Sequence, residues 1–347
     1  MPTPKVTIDD VARAAGVSIK TVSRVTNREP NVREATRQKV ERAIAELSYR
    51  PNQSARNLAS HRSRLIALVY DDPSVYDIPS SGYIIKMQQG ALRACQRDHY
   101  DLLIHPCNYR SRGVGAELQA LIEHARADGI VLAAPLSNMP KIVRAIEATG
   151  TRFVRLSPGV EKGGQLSVST NDREISAEMT RYLASLGHKR IAFIKGDPTH
   201  KAVANRFLGY RDGLQQSGVD FSDELVAAGD NSFGSGERCA AELLQRDNPP
   251  TAVFAANDDM AAGVIRVADR LGIGIPARLS VAGFDDIALA RLVYPALTTI
   301  RQPLAVMADR AVAAIIAAAS AGAQQHGTIV IPAELQIRES TGPAPAD

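Results

Sequence analysis

Apolar residues in the first fifty positions fall at helical spacing, in three short blocks. Thr7-Ile8-Asp9-Asp10 has the form of a capping box and opens a helix to about Ala15, which Gly16 ends. Ser18 can cap a second helix from Ile19 to about Val25, with Asn27 as its stop. The third block has Val40, Ile44 and Leu47 at i, i+4 and i+7, with Arg37, Lys39, Glu41 and Arg42 on the other faces. Pro51 breaks the chain, and a short piece from Asn52 to Ser60 precedes a change of rhythm at Leu65. From there, strand-length apolar runs alternate with amphipathic stretches. Strands are predicted at Leu65–Tyr70, Leu102–His105, Ile130–Ala134, Phe153–Leu156, Leu166–Thr170, Ile191–Ile194, Leu225–Ala228, Ala252–Ala256 and Leu279–Phe284. Helices are predicted at about 83–97, 117–127, 175–186, 205–216, 237–244, 260–271 and 307–319, and Thr328–Arg338 reads as a last strand. Such alternation implies parallel sheets with helices on both faces; two successive series imply two doubly wound α/β lobes. Ser340 to Pro345 reads as a free tail.

The spacing within the head adds a specific geometry, a helix-turn-helix. Ala12 is small where a second helix must cross, Gly16 supplies the turn, and Val11, Ala15, Val17, Val22 and Val25 fill inward positions. Ile19, Lys20, Ser23 and Arg24 then face outward, where side chains can enter a major groove.

Charge sharpens this reading. The 347-residue chain has a net charge of +4. Residues 1–62 hold 12 Lys and Arg against 6 Asp and Glu, leaving 29 bases and 31 acids in the remainder. A basic head on a slightly acidic body is expected of a polyanion-binding module joined to a unit with another task. No apolar stretch is long enough for a membrane helix, and the acid-containing N-terminus does not have the pattern of a signal peptide. Three cysteines without a CxxC pair fit a reducing cytoplasm. Neither a P-loop, a complete dinucleotide fingerprint, a GxSxG elbow nor an HExxH pair occurs, so no cofactor or metal is expected.

Open parallel sheets bind ligands beyond the carboxyl ends of their strands. Those ends read Asp71-Asp72, Asn108, Ser157, Asp197, Asn257-Asp258 and Asp285-Asp286. Carboxylates, amides and an arginine suit a polyhydroxylated ligand, since each forms paired hydrogen bonds with neighbouring hydroxyls.

Ile8-Asp9-Asp10-Val11-Ala12, Gly16-Val17-Ser18, Thr21-Val22-Ser23-Arg24-Val25, Asn27, Thr36-Arg37-Lys39-Val40, Leu47-Tyr49, Pro51-Asn52, Ala55 and Leu58-Ala59 together resemble the head of LacI/GalR-type bacterial transcription regulators. The likeness continues to about Gly342. It implies a helix-turn-helix domain at 1–50, a hinge helix at 51–62 and an effector-binding and dimerisation body at 63–342 of the type I periplasmic-binding-protein-like kind. Lobe 1 would take about 63–164 and 300–325, lobe 2 about 165–298 and 328–342, with 343–347 as tail. The resemblance implies DNA contacts from Thr7, Ser18, Ile19, Lys20, Thr21, Ser23, Arg24, Asn27, Arg33, Arg37, Asn52, Ala55, Leu58 and Ala59, with Leu58 as a minor-groove wedge. Arg33 departs from the family's usual serine cap.

The same resemblance places the effector on Arg206, Asn257 and Asp285. Asp71, Ser81, Tyr83 and Arg155 complete the candidate pocket, although the 73–82 loop can equally be a surface insertion and Arg155 a salt-bridging residue. For Asn257 and Asp285 a helix cap or loop turn is the competing role.

The implied protein is a cytoplasmic, homodimeric repressor of carbohydrate genes, acting on palindromic operator DNA under control of a small sugar-like effector, with no catalytic residues. An enzyme acting on a sugar, or a sugar-binding transport protein, would share the body fold. The basic head and the lack of a signal-peptide pattern argue against the transport protein, while turnover of a bound sugar would mark the enzyme. A Gly- and Pro-containing C-terminus cannot form a heptad tail, so a dimer without a tail-mediated tetramer is expected.

Overall fold

A computed structural model describes residues 6–26, 29–49, 63–71, 82–159, 164–321 and 326–346. It divides into two compact units, Met1–Ser63 and Arg64–Asp347.

The first unit contains α1 (Ile8–Ala15), α2 (Ile19–Thr26) and α3 (Glu34–Glu46). Thr7 and Asp10 form the expected capping box, and Gly16 takes a left-handed conformation at φ 64° as the C-cap. Ser18 Oγ accepts from the Thr21 amide at 3.2 Å and so opens α2. Val11, Val22, Val25 and Val40 are buried together, which fixes the angle between the helices. Arg33 stands at the N-cap of α3 without a side-chain cap bond.

Among its described residues the second unit holds two six-stranded sheets. Lobe 1 is built from β1 (Leu65–Asp71), β2 (Asp101–Cys107), β3 (Gly129–Leu132), β4 (Phe153–Leu156), β5 (Ser167–Ser169) and β11 (Thr328–Val330), in the order β11-β5-β4-β3-β1-β2. Helices α4 (Gly82–Arg97) and α12 (Leu304–Ala321) cover one face, and α5 (Val114–Ala125) and α6 (Pro140–Ala148) the other. Gly90 allows α4 and α12 to touch, since a Cβ there would lie 2.0 Å from the Ala305 carbonyl oxygen.

Lobe 2 repeats the plan with β6 (Ile191–Lys195), β7 (Val226–Ala228), β8 (Ala252–Ala255), β9 (Ser280–Asp285), β10 (Thr298–Arg301) and β12 (Glu334–Gln336), in the order β12-β10-β9-β8-β6-β7. Its helices are α7 (Asp172–Ser185), α8 (Lys201–Gln216), α9 (Phe233–Leu244), α10 (Asp258–Arg270) and the short α11 (Leu289–Leu292). Among the described residues all strand pairs are parallel except β10–β12. In each sheet the strand order reverses beside the first strand, creating a switch point where ligands bind.

Three expectations need correction. The predicted strand Thr328–Arg338 is two strands, of which β11 joins lobe 1 and β12 lobe 2. β5 pairs with β4, so the lobe boundary drawn at 165 places it in the wrong sheet. The supposed free tail is anchored: Ser340 is fully buried and donates to the Val281 carbonyl, and the Ala344 amide donates to that of Leu186. α6, α11 and β10 were not predicted, being short or interrupted by prolines.

Candidate functional site

The carboxyl ends of both sheets open on one cavity of about 250 Å³. From lobe 1 come Asp71 at the end of β1, Tyr83 in the first turn of α4, Tyr109 and Arg110 after β2, and Ser157 after β4. Lobe 2 adds Asp197 after β6, His200 and Arg206 at α8, Asp230 and Asn231 after β7, Asn257 and Asp259 at α10, and Asp285 ending β9.

Arg206 is the electrostatic centre. It is buried and lies with its guanidinium 3.7 Å from the centroid of the Phe284 ring. Nε donates to Asp172 at 3.0 Å, Nη1 donates to the Ala256 carbonyl at 2.6 Å, and Nη1 stands 3.6 Å from an Asp285 oxygen. Burial alone would lower the arginine pKa, but the two carboxylates outweigh it and hold it raised. Burial conversely lifts Asp285 to about 6, against the pull of Arg206. Gln302 Nε2 also donates to Asp285.

Asp285 and Asp286 have φ of 117° and 50°, conformations that L residues rarely adopt. Asp286 holds the strained pair in place, because its buried carboxylate receives Arg301 at 2.8 Å and Arg338 at 2.6 Å. Asn257 fills two roles. Its side-chain oxygen caps α10 through the Met260 amide at 3.0 Å, its Nδ2 donates to the Asn231 carbonyl at 2.8 Å, and the residue lines the cavity. The two readings left open for it in the sequence are therefore compatible.

The lobes also bond directly. Tyr109 Oη donates to Asp197 at 3.0 Å, with Arg110 Nη2 at 3.4 Å from the same oxygen. Asn138 donates to the Thr199 carbonyl at 3.1 Å, and Lys86 to that of Asp286. Burial would raise Asp197, but bonds from Thr199 and Tyr109 leave it lowered, hence ionised. Burial holds the His200 imidazole down at about 4 and pushes the Tyr83 phenol up to about 12, so both are neutral. Ser157 Oγ and Asn231 Oδ1 are buried with no hydrogen-bond partner among the described residues; the hydroxyl can donate or accept, the amide oxygen only accept. Among the described residues no group of three or more His, Cys, Asp or Glu side chains could hold a metal ion.

The structure thus brings Asp71, Tyr83, Arg206, Asn257 and Asp285 to one cavity. Arg155 is placed otherwise: it is buried, its Nε donates to the Ser137 carbonyl at 2.8 Å, and it is not part of the cavity wall. Ser81 lies outside the described residues. Tyr109, Arg110, His200, Asp230, Asn231 and Asp259 were not singled out, although the rule of strand carboxyl ends points to all but His200.

In the head, Ile19, Lys20 and Arg24 are exposed along α2, and Ser23 is half-buried. Arg24 lies 3.6 Å from Glu29, a surface pair weak enough to open. Ser18 and Thr21 share a hydroxyl bond at 2.9 Å, and Thr7 is occupied by its cap. Arg33 is exposed, whereas Arg37 donates Nη2 to the Glu29 carbonyl at 2.9 Å. Asn27, Asn52, Ala55, Leu58 and Ala59 lie outside the described residues.

Residues 7–52 match the profile of bacterial regulatory proteins of the lacI family, and residues 180–341 that of a periplasmic binding protein-like domain. The chain is 36% identical over 307 residues to the HTH-type transcriptional regulator GalR of Salmonella typhimurium, covering 88% of this chain and 87% of that protein. Among solved structures it is similar to the lac repressor dimer bound to operator and the anti-inducer ONPF, with a TM-score of 0.79, 25% identity, and 97% and 99% of the two chains covered. It is also similar to the transcriptional regulator CelR–cellobiose complex, with a TM-score of 0.74, 28% identity, and 97% and 100% covered.

Proposed function

Because the chain belongs to the lacI family of bacterial regulatory proteins, and is a DNA-binding transcription regulator rather than an enzyme, we propose a division of labour among its residues. Ile19, Lys20 and Arg24 read base edges in a major groove, while Ser18, Thr21, Arg33 and Arg37 hold the phosphate backbone. Asn52, Ala55, Leu58 and Ala59 supply the minor-groove contact. Two copies of the chain place two heads on a palindromic operator in the cytoplasm, as a homodimer. The lac repressor neighbour, a dimer bound to operator, supports that assembly.

The second unit senses a small polyhydroxylated effector in the cavity between its lobes. The observation that carries this reading is the Arg206–Asp285–Asn257 cluster facing Asp71 and Tyr83 across about 250 Å³. Such paired donors and acceptors match vicinal hydroxyls. The cellobiose bound to the CelR neighbour supports a carbohydrate-like ligand and hence control of carbohydrate genes. Since the cavity touches both lobes, a ligand that favours one lobe arrangement shifts the DNA-binding equilibrium by its differential affinity.

The test is selection of bound sequences from random duplex DNA, followed by footprinting. An enriched palindrome that is lost in Arg24→Ala and Lys20→Ala supports the assignment. Enrichment of no sequence, or of one indifferent to both substitutions, refutes it.

A further inference from the structure

We propose that the cavity accepts an effector bearing no negative charge, an uncharged or amino-bearing polyol, and rejects phosphorylated and carboxylated ligands. The inference rests on the reading of the cavity as the effector site and adds the ligand's charge class.

Among the described residues the wall carries five carboxylates, Asp71, Asp197, Asp230, Asp259 and Asp285, against two guanidiniums, Arg110 and Arg206. Both guanidiniums are already engaged. Arg206 serves Asp172, Asp285 and the Ala256 carbonyl; Arg110 serves the Tyr109 hydroxyl and Asp197. Recognition of a phosphate or carboxylate draws on a free cationic fork or a run of amide donors. Arg155, the residue that could have favoured an anion, stands outside the wall with its Nε on the Ser137 carbonyl.

One of two unsatisfied atoms points the same way. Ser157 is only 4% exposed, lines the cavity, and its Oγ lacks a partner among the described residues. Asn231 presents a buried carbonyl oxygen, which can only accept. The Ser157 hydroxyl can donate or accept, so it is Asn231 that calls for a hydroxyl or ammonium donor on the ligand. Burial already lifts Asp285 to about 6, with Asp172 adding to it against Arg206, so a further anion would work against the ion pair that organises the wall.

The full chain would be titrated calorimetrically with matched sugars: glucose and galactose, their 2-amino forms, their 6-phosphates and their uronates, with cellobiose and ribose alongside. The expected result is binding of at least one uncharged or amino sugar, with any anionic counterpart at least tenfold weaker. Asp71→Asn, which removes one wall charge, should narrow that gap. An anionic member binding as well as its uncharged counterpart overturns the inference, as does a gap untouched by Asp71→Asn or failure of every uncharged and amino member to bind. If an anion binds and Asp285→Asn abolishes it, the cavity remains the effector site and only the charge class falls. If no member binds at all, the effector reading falls with it.

Discussion

Replacing Arg206 by alanine removes the cation that, among the described residues, pairs with both Asp172 and Asp285. Breaking a buried pair by deleting one partner typically costs about 3–5 kcal/mol, because the remaining charge has no compensation. For a unit of this size that corresponds to a fall in Tm of about 6–20 °C, at about 2–4 °C per kcal/mol. The pH dependence distinguishes this cause from lost packing on Phe284. In the wild type, burial raises the folded-state pKa of both carboxyls above their unfolded values, Asp285 to about 6. Between roughly pH 4 and 6 the native state therefore binds more protons than the unfolded chain, and stability falls as pH rises. Without Arg206 both values rise further, so the deficit should be largest above pH 7 and shrink as the orphaned carboxyls take up protons towards pH 5. Arg206→Lys keeps the charge but not the planar fork, so its deficit should be smaller and nearly independent of pH. Urea unfolding at pH 5.0, 6.0 and 7.5 measures all three proteins. A pH-independent deficit in Arg206→Ala, or equal deficits in both variants, would refute the reasoning.

Arg24→Ala should weaken binding to the selected operator by about 1–3 kcal/mol and to random DNA much less, by anisotropy at fixed salt; equal losses would make Arg24 a phosphate contact. Gly90→Ala should lower stability by about 1–3 kcal/mol or more in urea unfolding, since the new methyl meets the Ala305 backbone rather than a side chain that can turn away. Tyr109→Phe should enlarge the radius of gyration of the ligand-free protein in X-ray scattering by removing the donor to Asp197, and an unchanged profile would show the lobes to be held otherwise. Removal of residues 343–347 should leave the dimer intact in light scattering while lowering Tm slightly, because the Ala344 amide bond to Leu186 is lost.

Most of the fold was legible because buried parallel strands are written as continuous apolar runs. β4 starts and ends where Phe153–Leu156 predicts, and helix signals such as Thr7 with Asp10 act locally. What local patterning cannot encode is which sheet a short strand joins. Thr328–Arg338 reads as one extended run, yet its halves pair 161 and 33–37 positions away, with β5 and β10. The cavity shows the same division. Arg206, Asn257 and Asp285 were reachable through family motifs, and Asp71 through the strand-end rule. Tyr109 was missed because its partner Asp197 is 88 positions distant and on the other lobe. Arg155 was misjudged because its position in the chain fits a pocket, while its side chain turns to the Ser137 carbonyl.

The central claim is that the cavity between the lobes controls the DNA-binding head. Its most direct test is operator affinity by fluorescence anisotropy, with and without the sugar that binds the cavity, in the wild type and in Arg206→Lys. The account predicts a change of at least about tenfold in the wild type, within the usual 1–3 kcal/mol of allosteric coupling, and little change in the variant, whose ligand-free affinity stays at the wild-type level. An operator affinity indifferent to the bound sugar, or a variant that responds as the wild type does, would contradict it.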